Sequence, residues 1–157
     1  MILADDMGLG KTVQIIGTLN ASPELEKVLI LCPKSLVDTW MRELGMWLTR
    51  PYNIINMTAS KKYELPADGE CGIVVVNYDM VKNRRAFIDA FPAGEGNGGE
   101  WDAVICDEAH YLKNPDAKRT LFTLGETRFE KEQNEDPKHV QPIATNKLWF
   151  VTGTPGD

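Results

Sequence analysis

Five short apolar runs, each closing on a polar cluster, constrain the fold of this chain more than any other feature. Ile2-Leu3-Ala4 runs into Asp5-Asp6, residues 28–32 (VLILC) into Pro33-Lys34-Ser35, and residues 73–77 (IVVVN) into Tyr78-Asp79. Residues 103–106 (AVIC) run into Asp107-Glu108-Ala109-His110, and residues 148–152 (LWFVT) into Gly153-Thr154-Pro155. A strand with one wet face alternates apolar and polar residues, whereas an unbroken β-rich run suits a strand buried on both faces. Residues 52–58 (YNIINMT) are a weaker sixth candidate. Helical signals lie between the runs. One covers Thr12 to Leu19 and another Val81 to Phe91. In residues 35–48, Leu36, Trp40, Leu44 and Leu48 recur every four residues, with Val37, Met41 and Trp47 alongside and Ser35 as the expected cap. Alternating strands and helices predict an α/β domain: a mainly parallel sheet of five or more strands, helices on both faces, and right-handed crossovers. Parallel strands share one carboxyl edge, and open α/β sheets bind ligands there. All five polar clusters are therefore predicted to lie on one edge.

The 157 residues suit a single domain with a real core. Hydrophobic residues at 43% and charged residues at 25% are ordinary globular values. No apolar run approaches the ~20 residues of a membrane span, so no membrane partner is expected. A net charge of −6 argues against a general polyanion binder but leaves room for a local basic edge, with Lys61-Lys62 and residues 82–85 (KNRR) as basic clusters. For KNRR, a solvated helix start is weighed against nucleic-acid contact. The three cysteines show no metal-type spacing; Cys32 and Cys106 close apolar runs and read as buried free thiols in a reducing compartment, with Cys71 left over. Without a signal peptide before the first motif, an intracellular chain is expected, in a prokaryotic or phage-infected cytoplasm or a nucleus. The four tryptophans read as core rather than as base-stacking groups. Residues 92–100 are glycine-rich but lack a following Lys-Ser/Thr pair, and read as a surface loop. Residues 125–146 are polar and charged, and predict a flexible insert.

Residues 3–12 (LADDMGLGKT) form a glycine-rich turn closing on Gly10-Lys11-Thr12. Successive backbone N–H groups and the positive end of a helix meet phosphate charge without side chains. Gly8 and Gly10 permit the close approach, Lys11 reaches the β- and γ-phosphates, and the Thr12 hydroxyl is a Mg²⁺ ligand. The strict phosphate-loop pattern has glycine where this chain has Asp5. Asp107 and Glu108 end a buried run on the same predicted edge. Mg²⁺ takes oxygen ligands and keeps several waters, so Asp107 is the natural metal ligand, and Glu108 is placed to orient and deprotonate an attacking water. Together the two halves predict a nucleoside triphosphate site, with Lys11, Asp107 and Glu108 catalytic.

LADDMGLGKT, residues 29–40 (LILCPKSLVDTW), residues 106–114 (CDEAHYLKN) and residues 148–155 (LWFVTGTP) resemble, in order and rough spacing, motifs I, Ia, II and III of superfamily-two helicase-like ATPases. DMGLGKT and DEAHYLKN look specifically like the Swi/Snf-related DNA translocases, which include chromatin remodellers. The resemblance covers nearly the whole chain. It implies a RecA-like P-loop NTPase lobe, the first of two, over residues 1–157, using ATP and Mg²⁺ and working on double-stranded DNA with a second RecA-like lobe. It implies that Met7, Gly8, Leu9, Gly10, Lys11 and Thr12 cradle the phosphates. His110 would link the nucleotide site to Thr152 and Thr154, and Lys34, Ser35, Asn77 and Tyr78 would touch the nucleic-acid backbone. It also places the strand at 148–152 between the first strand and the strand at 103–106. Members more often carry Glu at the place of Asp6. The upstream adenine-reading segment and the second lobe with its arginine fingers are not found in these residues, and 125–146 is longer than usual.

Three functions compete at this point. One is the ATP-binding lobe of a DNA-dependent ATPase that translocates on double-stranded DNA. The second is a non-catalytic fragment that holds nucleotide or a partner, and the third is the translocase lobe of a restriction-type enzyme. On the first, residues 1–157 alone are expected to show little or no DNA-stimulated ATP hydrolysis.

Overall fold

All five apolar runs, and the weaker sixth, become strands. The computed structural model describes residues 2–4, 8–58, 69–93, 99–114, 117–125 and 141–152. The strands are β1 (Ile2–Ala4), β2 (Lys27–Cys32), β3 (Asn53–Asn56), β4 (Gly72–Asn77), β5 (Ala103–Cys106) and β6 (Leu148–Thr152). They form one six-stranded sheet in the order β1-β6-β5-β2-β4-β3, with every neighbouring pair parallel. The strand β6 lies between β1 and β5, as the resemblance predicts, and Phe150 stands opposite both Ile2 and Cys106.

Parallel neighbours need a crossover, and helices supply most of them. These are α1 (Gly8–Ala21), α2 (Val37–Trp47), α3 (Val81–Ala90) and α4 (Lys118–Leu124). Successive strand side chains point to opposite faces. On one face Val28, Ile30, Cys32, Ile73, Val75 and Ile105 pack with Ile15, Ile16 and Leu19 of α1 and Val37, Trp40 and Leu44 of α2. On the other, Leu29, Leu31, Val74, Val76, Val104 and Cys106 pack with Val81 and Ile88 of α3, with Phe91 and with Trp101. Every residue of β2 and β4 is buried, so unbroken apolar runs are what this architecture requires. Burying each Leu, Ile or Val side chain contributes roughly 1.5–3 kcal/mol, so the helix faces on both sides are needed to close the core. Among the described residues no helix is long and apolar enough to cross a membrane.

Several local expectations change. Helix α1 starts at Gly8 rather than Thr12. Ser35 does not cap α2; the helix begins at Val37, after a 3-10 turn at Lys34–Leu36, with no side-chain cap bond. Pro33 sends the chain into that turn in an extended conformation (φ −60°, ψ 151°), and the Leu36 N–H donates to the Pro33 carbonyl at 3.0 Å. A backbone turn thus takes the place of the serine cap. Trp40, Trp101 and Trp149 are core residues, but Trp47 is 48% exposed, with its indole N–H donating to Glu43 at 2.7 Å.

The basic run at 82–85 does lie at a helix start, with Lys82 and Asn83 exposed, but its two arginines are engaged within the fold. Arg85 donates to the carbonyls of Phe122 (2.8 Å) and Pro142 (2.9 Å) and pairs with Asp89 at 2.8 Å, while Arg84 donates to the Met57 carbonyl at 3.3 Å. These arginines fasten α3 to its neighbours. Of the predicted insert at 125–146, residues 126–140 lie outside the described residues, as do 94–98 of the glycine-rich loop and Lys61-Lys62. Residues 141–146 are tied down. Ile143 is buried, the Trp101 N–H donates to the Ala144 carbonyl at 2.9 Å, and the Thr145 hydroxyl donates to the Trp101 carbonyl at 3.0 Å.

Candidate nucleotide site

The parallel sheet brings the start of α1 and the end of β5 to the same edge. Met7 lies outside the described residues; Gly8 and Leu9 open α1, Gly10 is half-buried, and Thr12 is buried. Lys11 is only 2% exposed, and its Nζ lies 4.0 Å from Glu108 Oε1. Residues separated by most of the chain thus meet where the phosphate turn and the acidic pair were predicted to meet.

Asp107 follows β5 directly and is 6% exposed. Its N–H donates to the Leu31 carbonyl at 2.8 Å, extending the β2–β5 ladder by one bond. Its Oδ1 accepts from the Glu108 N–H at 2.9 Å, and its Oδ2 from the Trp40 indole N–H at 2.8 Å. Its carbonyl accepts from the Tyr78 hydroxyl at 2.6 Å. Burial pushes the Asp107 carboxyl above its ordinary range; the Trp40 and Glu108 hydrogen bonds and the Lys11 charge oppose that rise, and the Glu108 charge adds to it. Glu108 beside the Lys11 ammonium and a neighbouring buried Asp107 held up by desolvation fit a bound cation, which favours the ionised form. Among the described residues no group of three or more His, Cys, Asp or Glu is arranged to hold a metal ion by itself. A cation held here would take few protein ligands, as Mg²⁺ does beside phosphates.

Glu108 is the one non-glycine residue with positive φ among the described residues, in the left-handed region at φ 50° and ψ 53°. Adjacent strand residues point to opposite faces; this sharp turn brings Glu108 round so that it faces Lys11 just after Asp107. His110 Nδ1 lies 3.3 Å from Glu108 Oε2. The His110 turn packs against β6, whose last residue, Thr152, pairs with Ala4; Thr154 lies outside the described residues.

Lys34 and Ser35 are exposed at the end of β2, on the same edge. Asn77 and Tyr78 are not. Asn77 is 4% exposed, and its Oδ1 accepts from the Thr58 hydroxyl at 3.0 Å. Tyr78 is 1% exposed, and burial pushes its hydroxyl well above the ordinary tyrosine value, which keeps it a donor. Both side chains are packed into the fold rather than presented on the edge, Asn77 as the last residue of β4 and Tyr78 directly after it. Trp40 and Tyr78 were not foreseen as partners of Asp107: Tyr78 was expected at nucleic acid, and periodicity marked Trp40 as core but says nothing about where an indole N–H points.

A profile of the SNF2-related domain matches residues 1–156. The Arabidopsis thaliana protein CHROMATIN REMODELING 24 is 35% identical over 136 residues, 78% of this chain and 12% of that protein. Mouse DNA repair and recombination protein RAD54B is 33% identical over 165 residues, 98% of this chain and 16% of that protein. The chain thus spans a small share of the length of these relatives. The fold matches the Sulfolobus solfataricus SWI2/SNF2 ATPase core in complex with dsDNA with a TM-score of 0.66 at 23% identity, covering 99% of this chain and 28% of that one. It also matches a nuclease-deletion mutant of the Type ISP restriction-modification enzyme LlaGI, with a TM-score of 0.60 at 17% identity over 99% of this chain and 16% of that one. The profile covers nearly the whole chain: the chain belongs to the SNF2-related domain family.

Proposed function

We propose that this chain is the ATP-binding lobe, the first of two RecA-like lobes, of a DNA-dependent ATPase that translocates on double-stranded DNA. The observation that carries the reading is the approach of Lys11 to Glu108, 4.0 Å apart, beside the buried Asp107. Met7 to Thr12 hold the phosphates, with Lys11 meeting the charge of the β- and γ-phosphates. Glu108 takes the proton of the attacking water, and its αL turn keeps the carboxylate facing the site. Asp107 and Thr12 hold Mg²⁺, which when bound neutralises phosphate charge. His110, in contact with Glu108, sits in a turn that packs against β6 and passes the state of the site towards Thr152 and Thr154.

Similarity to a chromatin-remodelling protein, to a DNA repair protein and to an ATPase core bound to dsDNA supports double-stranded DNA as the partner and an intracellular setting. The family profile favours this reading over a restriction-type translocase, for which the fold alone speaks. Lys34 and Ser35 are the DNA contacts in this reading. They position the backbone without reading bases.

The test is phosphate release and nucleotide binding by the full-length protein carrying this lobe. Lys11→Ala is expected to remove most nucleotide affinity, because it meets ground-state charge. Glu108→Gln is expected to keep binding and lose turnover, because Glu108 acts on the water in the transition state. Equal turnover by wild type and Glu108→Gln would remove Glu108 from the mechanism. In the same assay residues 1–157 alone are expected to turn over little ATP with or without DNA. Arginine fingers from elsewhere contribute ~10³ to 10⁵ in rate in comparable enzymes.

A further inference from the structure

Asp107 has every polar group committed. Its N–H is bound by Leu31, its Oδ1 by the Glu108 N–H, its Oδ2 by Trp40 Nε1 at 2.8 Å, and its carbonyl by the Tyr78 hydroxyl at 2.6 Å. The last two donors come from distant segments. Trp40 lies in α2, one turn after the exposed Lys34-Ser35 turn, and Tyr78 opens the 3-10 turn that follows β4. Both are almost fully buried, so each N–H or O–H needs an acceptor, and Asp107 supplies it for both. A phenyl ring would fill the place of the Tyr78 phenol without its bond, and at Trp40 would remove the bond while leaving a cavity.

We propose that Trp40 and Tyr78 are positioning residues that clamp Asp107 from two sides, holding its carboxylate in the orientation that receives the Mg²⁺ of the bound nucleotide and tying it to the Lys34-Ser35 edge. The proposal rests on the reading of Asp107 as a metal-holding residue. Carboxylate oxygens carry more than one lone pair, so Oδ2 accepts from the indole and keeps capacity for a cation. The indole fixes the side chain and the phenol fixes the backbone behind it. Through α2, a shift of the Lys34-Ser35 turn moves the indole and so the carboxylate.

The experiment measures the Mg²⁺ dependence of binding of a fluorescent ATP analogue to the full-length protein, with a metal-free series in EDTA. Trp40→Phe and Tyr78→Phe are each expected to raise the Mg²⁺ concentration at half-saturation by about tenfold, while metal-free nucleotide affinity stays within about twofold. Excess Mg²⁺ restores wild-type binding, which it would not do for a packing defect. A shift confined to one variant removes the other residue from the clamp, and a shift in neither overturns it. Thermal unfolding checks the fold, and if Trp40→Phe fails to fold, Tyr78→Phe decides alone. Asp107→Asn is the control. If it leaves the Mg²⁺ dependence unchanged, the metal-holding reading of Asp107 fails and the clamp fails with it; if it abolishes the dependence while both ring variants behave as wild type, only the clamp fails.

Discussion

At Glu108 the backbone stands in a conformation that side chains rarely adopt, φ 50° and ψ 53°. Holding a non-glycine residue there costs roughly 1–3 kcal/mol, and such strain survives where surrounding structure over-determines it. Here the Asp107 Oδ1 accepts the Glu108 N–H, and the next turn, Ala109–Leu112, follows at once. On the proposed function the strain serves the site, because the turn faces Glu108 towards Lys11. Glu108→Gly and Glu108→Gln both lose the carboxylate, but only the first relieves the strain. Set against the 0.5–1 kcal/mol entropic cost of a glycine, Glu108→Gly is expected to be about 1 kcal/mol more stable than Glu108→Gln by denaturant unfolding, with both inactive. Equal midpoints would mean that the turn stores no strain. The acidic pair itself was plain in the sequence. The left-handed turn that lets both carboxylates serve one site was not, because nothing in the order Asp107-Glu108 encodes a φ.

At the scale of elements, the two thiols that close β2 and β5 fall on opposite faces of the sheet, Cys32 under α1 and α2, and Cys106 with the α3 side. Burial pushes both up, Cys106 to about 12 from 9.0, with the Asp107 charge adding to each and the Tyr78 hydrogen bond working against the rise at Cys106. Their folded values lie above their unfolded ones, so the folded state prefers the neutral thiol. That preference costs nothing below pH 9, and stability is lost as pH rises through the range towards 12. Denaturant midpoints are expected to hold at pH 8 and fall steadily above pH 9, with a shallower fall in Cys106→Ala; a flat profile to pH 11 would contradict this. At pH 8 the half-buried Cys71 is expected to react first with a thiol reagent. The strands and three helices were legible because burial leaves a period in the sequence. The seven-residue α4 (Lys118–Leu124) was not, being too short to show one.

For the whole molecule, a net charge of −6 argues against a broad polyanion-binding face, so the proposed DNA contact falls to a local basic edge. Lys34 is exposed on that edge, whereas Arg84 and Arg85 bind carbonyls within the fold. Lys34→Ala in the full-length protein is expected to weaken double-stranded DNA binding equally across sequences and to lower the slope of log affinity against log salt by about one. A loss restricted to particular base sequences would contradict a phosphate contact.

The sequence by itself determined the architecture: runs buried on both faces demand a parallel sheet with two helical layers, and their polar endings must share its carboxyl edge. Lys11, Asp107 and Glu108 were singled out by the glycine-rich turn and the acidic pair, and the family by the resemblance of four motifs. Only the tertiary structure decided what each polar side chain near the edge is bound to. Trp40 reaches Asp107 across 67 residues and Tyr78 across 29, and Tyr78 turns inward where a nucleic-acid contact was expected. Periodicity records whether a position is buried, because burial repeats with the helix or strand. A hydrogen-bond partner depends on how crossovers stack distant segments, and that is a property of the packed molecule.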